Sequence, residues 1–184
     1  MAEDGIQDFA MAKRKAARQL GVLEDRLLPN NTEIAEALRA YQSLFQADEQ
    51  AERLQRLRRE ALAAMRLLDR FDPRLTGPVL NGTAARYAVI NLQLFPDDPK
   101  EVELFLLNRQ LEYKPGQKRF RFGHGFRYVP VFLLIGGPAE VEVAVFAATD
   151  LREPPKDAID GRSMERLRID QVESLLAEKA AFAG

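Results

Sequence analysis

Two amide side chains, Asn91 and Gln93, stand two residues apart inside the apolar run Val89-Ile90-Asn91-Leu92-Gln93-Leu94-Phe95. In a β-strand the period of two brings both to one face, so their polar ends meet at one site. A carboxylate that could join them is Glu142, in the second alternating run Val141-Glu142-Val143-Ala144-Val145-Phe146. Upstream, Val79-Leu80-Asn81-Gly82-Thr83 reads as a short strand that ends in a glycine and a hydroxyl residue. The plainer alternative is that Asn91 and Gln93 are ordinary strand residues that point to water.

A second group is basic. Residues 109–127 hold six Lys or Arg against one acid, Glu112, with Tyr113, Phe120, Phe122 and Phe126 interleaved. Alternation puts Arg119 and Arg121 on one face and Phe120 and Phe122 on the other. A basic strand beside aromatic rings can follow a phosphate backbone and stack bases. It can equally put its Phe face in the core and its charges on a protected sheet edge. If phosphate binds, this stretch and Arg86 are the expected contacts. A single-stranded nucleic-acid module would use Arg119, Arg121, Phe122 and Arg127. His124, between Gly123 and Gly125, has no nucleophile or carboxylate near it in sequence and reads as a turn residue. Gly136-Gly137-Pro138 lacks the glycine spacing and following helix of a phosphate cradle and reads as a hairpin turn.

Composition removes several chemistries. The 184 residues include no Cys, which excludes a disulfide scaffold, a thiolate metal site, a cysteine nucleophile and an iron–sulfur cluster. The single His excludes a two-His metal site within one chain. Twenty-seven basic and 28 acidic residues give a net charge of -1, so bulk charge makes no case for nucleic acid as a partner. No apolar run reaches the roughly 18 residues of a membrane span, so no membrane partner is expected. The start lacks the pattern of a signal peptide, and a cytoplasmic location is expected.

The elements that must position these groups form an α+β pattern. Three helices are predicted over residues 3–20, 32–46 and 48–71, with Asp48 as an N-cap. The first is basic at Lys13, Arg14, Lys15 and Arg18. The others carry apolar stripes, Ile34, Leu38, Tyr41 and Phe45, then Leu54, Leu57, Ala61, Met65 and Leu68. Strands are predicted over 78–81 and 87–95. A helix follows to residue 108, opened by Asp98 and Pro99. Further strands are predicted over 111–113, 118–122, 128–135 and 141–146, the last two as a hairpin, and a closing helix over 163–180. Residues 1–47 are expected to form a helical region and 48–184 an α+β domain. The clean stripe of the third helix is compatible with a homodimer through the helical region.

The run from Gly82-Thr83 to Asn91-Leu92-Gln93, with Glu142 on a later strand, resembles the nucleotidyltransferase superfamily typified by DNA polymerase β. The family pattern is an apolar residue, Gly, then Gly or Ser, followed by a strand with Asp-apolar-Asp or Asp-apolar-Glu and a later third carboxylate. The resemblance covers roughly residues 50–147. It implies a mixed sheet with packing helices and a site where carboxylates hold two Mg²⁺ ions on a triphosphate. Here Asn91 and Gln93 fall where the paired carboxylates would be. They offer neutral carbonyl oxygens to an ion that takes anionic oxygen. The resemblance therefore implies a catalytically degenerate domain that binds a nucleotide, an anion or a protein partner, with no cofactor. An active enzyme would need Mg²⁺ held by Glu142 with Asp97 or Asp98, although these two read as turn and cap residues.

The chain is also similar to a small bacterial family that shares Asp8-Phe9-Ala10-x-Ala12-Lys13-Arg14-Lys15-Ala16-Ala17 and Phe95-x-Asp97-Asp98-Pro99-Lys100. Some members are labelled UDP-N-acetylmuramate–alanine ligase. Such a ligase needs a glycine-rich phosphate loop followed by Lys and Ser or Thr, which this sequence lacks.

Overall fold

The computed structural model describes residues 31–85, 87–123, 125–157 and 161–181. The helix expected over 3–20, with its basic residues, lies outside them, as do Arg86 and His124. The fold is α+β, a helix followed by a five-stranded mixed sheet with further helices. Helix α1 spans Asn31–Leu67 without interruption. The expected break at Asp48 is absent, because Gln46-Ala47-Asp48-Glu49-Gln50-Ala51 contains no Gly or Pro to stop a helix. The chain divides into two compact units, Met1–Glu49 and Gln50–Gly184. In the first, residues 31–49 are helical.

In the second unit, α1 ends at Leu67 and a 3-10 turn, Asp69–Phe71, follows. Strand β1 is Arg74–Thr76 and helix α2 is Gly77–Asn81. The strand predicted over 78–81 is therefore a helix. Pro78 sits in its first turn, where the missing N–H costs nothing, and the real strand precedes it. Strand β2 (Ile90–Leu94), helix α3 (Lys100–Asn108), strands β3 (Tyr113–Phe122), β4 (Gly125–Leu134) and β5 (Val141–Val145), and helix α4 (Ile169–Ala181) complete the chain. The Asp98 carboxylate accepts the Lys100 N–H at 2.9 Å at the start of α3. The two strands expected over 111–113 and 118–122 are one. Pro115 and Gly116 lie within β3, an edge strand on which a missing donor is tolerated. The closing helix starts six residues later than expected, at Ile169 rather than 163.

The sheet order is β1-β2-β5-β4-β3. Strands β2 and β5 are parallel, pairing Asn91 with Glu142 and Gln93 with Ala144. The other neighbours are antiparallel. One face carries Leu75, Ile90, Leu92, Leu94, Phe132, Val141, Val143 and Val145. These pack with Leu57 and Met65 of α1, Leu68 just after it, Val102 and Leu106 of α3 and Val172 of α4 in the main core. Burying each such side chain contributes about 1.5–3 kcal/mol. The other face holds a smaller cluster of Phe95, Val129, Ala144 and Phe146, with Phe120 and Phe122 against it.

Arg58, only 3% exposed, joins α1 to α2. Its Nε and Nη2 donate to the carbonyls of Val79 and Leu80 at 3.1 and 2.8 Å. These are last-turn carbonyls of α2 that lack helical partners. Burial lowers the Arg58 pKa from its ordinary value.

Candidate functional site

A cleft of about 730 Å³ opens on the second face of the sheet. The register places Thr76 of β1, Asn91 and Gln93 of β2, Glu142 and Ala144 of β5, and Lys118 and Phe120 of β3 on that face. All seven line the cleft, with Gly77 and Pro78 at the start of α2. The far wall is a segment that runs back along β3. The Lys156 N–H donates to the Arg121 carbonyl at 2.6 Å, and Met164 N–H donates to the Pro155 carbonyl at 2.8 Å. Lys156, Asp157, Gly161 and Met164 line the cleft from there.

Asn91 sits under the β1–α2 junction. The Thr76 hydroxyl donates to the Asn91 carbonyl at 3.4 Å. Gly77 adopts φ +73, in the left-handed region, and a Cβ there would stand 3.0 Å from Asn91 Nδ2. The left-handed φ favours glycine here, and a Cβ would also press on the end of the Asn91 side chain. The glycine that separates strand from helix is thus Gly77. Gly82 and Thr83 do not line the cleft: Gly82 is the left-handed C-cap of α2, and the Thr83 N–H donates to the Pro78 carbonyl.

Gln93 is only 2% exposed and does not point to open water. Arg166 Nε donates to Gln93 Oε1 at 2.7 Å, so the amide nitrogen lies on the other side, 3.8 Å from Met164 Sδ. Arg166 Nη1 donates to the Asp150 carbonyl at 2.9 Å, and its guanidinium lies over the rings of Phe95 and Phe146 at 5.0 and 5.9 Å. Its Nη2 is buried without a partner. Burial lowers the Arg166 pKa to about 10, against a rise from Asp150 and with a further lowering from Arg74, so the group stays cationic at neutral pH. Asp150 in turn accepts from Arg127 Nη2 at 2.6 Å and from the Ala147 N–H at 3.1 Å.

Glu142 is engaged by Lys118 Nζ at 2.5 Å. Arg119 and Arg121 line the cleft's margin, but the register sets them on the sheet face opposite Asn91, Gln93 and Glu142. The β3 cation that lines the cleft from the amide face is Lys118, which alternation along β3 opposes to Arg119. Asp97 and Asp98 are not among the lining residues; both lie in the turn before α3. Among the described residues no group of three or more His, Cys, Asp or Glu is placed to hold a metal ion. No described helix is long and apolar enough to cross a membrane.

Sequence reasoning missed Thr76, Gly77, Lys118, Lys156, Met164 and Arg166. The Gly77-Pro78 pair was a readable signal for a turn into a helix. Arg166 carried none, since its partner lies 73 residues away. No protein-family model matches the chain, and no curated protein or solved structure shows significant similarity to it.

Proposed function

We propose that this cleft binds a phosphate-bearing small molecule, a nucleotide foremost, and does not catalyse phosphoryl transfer. On this reading the chain is a nucleotidyltransferase-like domain with a degenerate site. The observation that carries the reading is the hydrogen bond from Arg166 to Gln93. It sets a guanidinium 2.7 Å from the side chain that stands where the resemblance calls for a second metal-binding carboxylate. A fixed positive charge there repels a divalent cation and favours an anion.

The remaining groups agree. The cleft lining includes Lys118, Arg119, Arg121 and Lys156 against two carboxylates, Glu142 and Asp157. Glu142 is already engaged by an ammonium group. Asn91 and Gln93 supply no charge. Thr76, Asn91 and Lys156 can hydrogen-bond a phosphate or a base edge, and the apolar surface of Phe120 and Met164 suits a ring.

The test is calorimetric titration of the full chain with ATP in the presence of EDTA. Binding is expected, and Lys156→Ala and Lys118→Ala should each weaken it roughly tenfold, the scale of one charge-assisted hydrogen bond. Both positions are substantially exposed or half-buried, so the variants should fold. Binding unchanged in both variants, or none in the parent chain, would contradict the assignment.

A further inference from the structure

The outer half of the β3–β4 ribbon presents a surface that continues from the cleft, whose lining includes Arg119, Arg121 and Phe126 but not Tyr128. Cross-strand register pairs Arg119 with Tyr128 and Arg121 with Phe126, so two arginines and two aromatic rings share one face. Phe126 and Tyr128 are 62% and 65% exposed, unusual for rings of that size. The opposite face of the same ribbon is closed: Phe120 and Phe122 pack on Phe146, and Arg127 is paired with Asp150. The cations on the two faces are treated differently. Lys118 and Arg127 have carboxylate partners, whereas among the described residues Arg119 and Arg121 have none. The Arg119 guanidinium lies 4.5 Å from the Phe126 ring centroid, which holds it beside the ring.

We infer that this face, Arg119, Arg121, Phe126 and Tyr128, binds single-stranded nucleic acid. Phe126 and Tyr128 are two residues apart on one strand, about 7 Å, the scale of one extended nucleotide step. Bases stack on exposed rings without sequence preference, and guanidinium groups beside them take the phosphates. The unpaired charge selects a polyanion. A second copy of the chain would set these arginines against their own equivalents, and two rings bury too little apolar area to hold a lipid surface alone. Phe122 and Arg127, which the sequence offered beside Arg119 and Arg121, lie on the opposite face of the ribbon against Phe146 and Asp150.

The experiment is fluorescence anisotropy of a labelled oligothymidylate of about 15 nucleotides with the full chain, across a KCl series. Binding is expected, with a log–log salt slope of about −1.4 for two phosphate contacts on a single strand. Phe126→Ala and Tyr128→Ala should each weaken it roughly tenfold. The double variant Arg119→Gln, Arg121→Gln should flatten the slope. All four side chains are exposed, and an unchanged melting temperature verifies folding of each variant. Tyr128 does not line the cleft, so Tyr128→Ala should leave ATP binding intact, separating this surface from the cleft. Absence of oligonucleotide binding, binding that ignores salt, or binding unmoved by the ring variants would overturn the inference. So would binding only to phosphatidylserine vesicles.

Discussion

Gln93 is the residue on which the proposed preference for an anion over a metal ion turns. Its oxygen is held by a cation that only donates, so the amide orientation is fixed by Arg166. A carboxylate introduced there would pair with the guanidinium before it met a metal. Gln93→Glu alone should therefore gain no measurable Mg²⁺ affinity by calorimetry, whereas Gln93→Glu with Arg166→Gln should gain some. Magnesium binding by the single variant would show that Arg166 does not govern the position. Gly77 gives a second residue-scale prediction. Gly77→Ala meets both a left-handed φ and a contact of 3.0 Å with Asn91, and should cost about 1–3 kcal/mol in urea unfolding. An unchanged midpoint would show that the junction relaxes freely. Period-two alternation made the pairing of Asn91 and Gln93 on one face legible. It could not reveal that Gln93 is covered, because the cover comes from Met164 and Arg166, far along the chain.

At the scale of elements, α2 depends on α1. Arg58 satisfies the carbonyls of Val79 and Leu80 from within a buried setting. Arg58→Ala removes both bonds and should cost about 2–3 kcal/mol, lowering the melting temperature by about 2–4 °C for each of these. A shift within 1–2 °C of zero would mean that water replaces the guanidinium at little cost. Strands β2 and β5 were legible because each alternates within an apolar run and pairs at the sheet's centre. Helix α2 was not: five residues rich in apolar side chains read alike as strand or helix, and only Gly77-Pro78 marked the difference. Strand β3 was split in the reading by Pro115-Gly116, which an edge strand tolerates and a central strand would not. The continuity of α1 past Asp48 shows the same limit, since a capping residue within good helix formers need not cap.

For the whole molecule, the net charge of -1 conceals a division. On the β3–β4 ribbon, Arg119 and Arg121 have no carboxylate partner among the described residues, while Lys118 and Arg127 are matched to Glu142 and Asp150. If the ribbon binds a polyanion as inferred, the deciding charge is the local one that the fold leaves uncompensated and not the total. The nucleotidyltransferase-like proposal rests on one cleft lined by Asn91 and Gln93, the second held by the Arg166 guanidinium, where the resemblance calls for metal-binding carboxylates. The most direct measurement is a thermal-shift titration of the full chain with ATP, in EDTA and in excess Mg²⁺, with pyrophosphate release followed in parallel. A ligand that binds only the folded state raises the melting temperature. The account predicts a rise in EDTA that is not enhanced by Mg²⁺, and no pyrophosphate. A rise that appears only with Mg²⁺, accompanied by pyrophosphate release that Glu142→Gln abolishes, would contradict it.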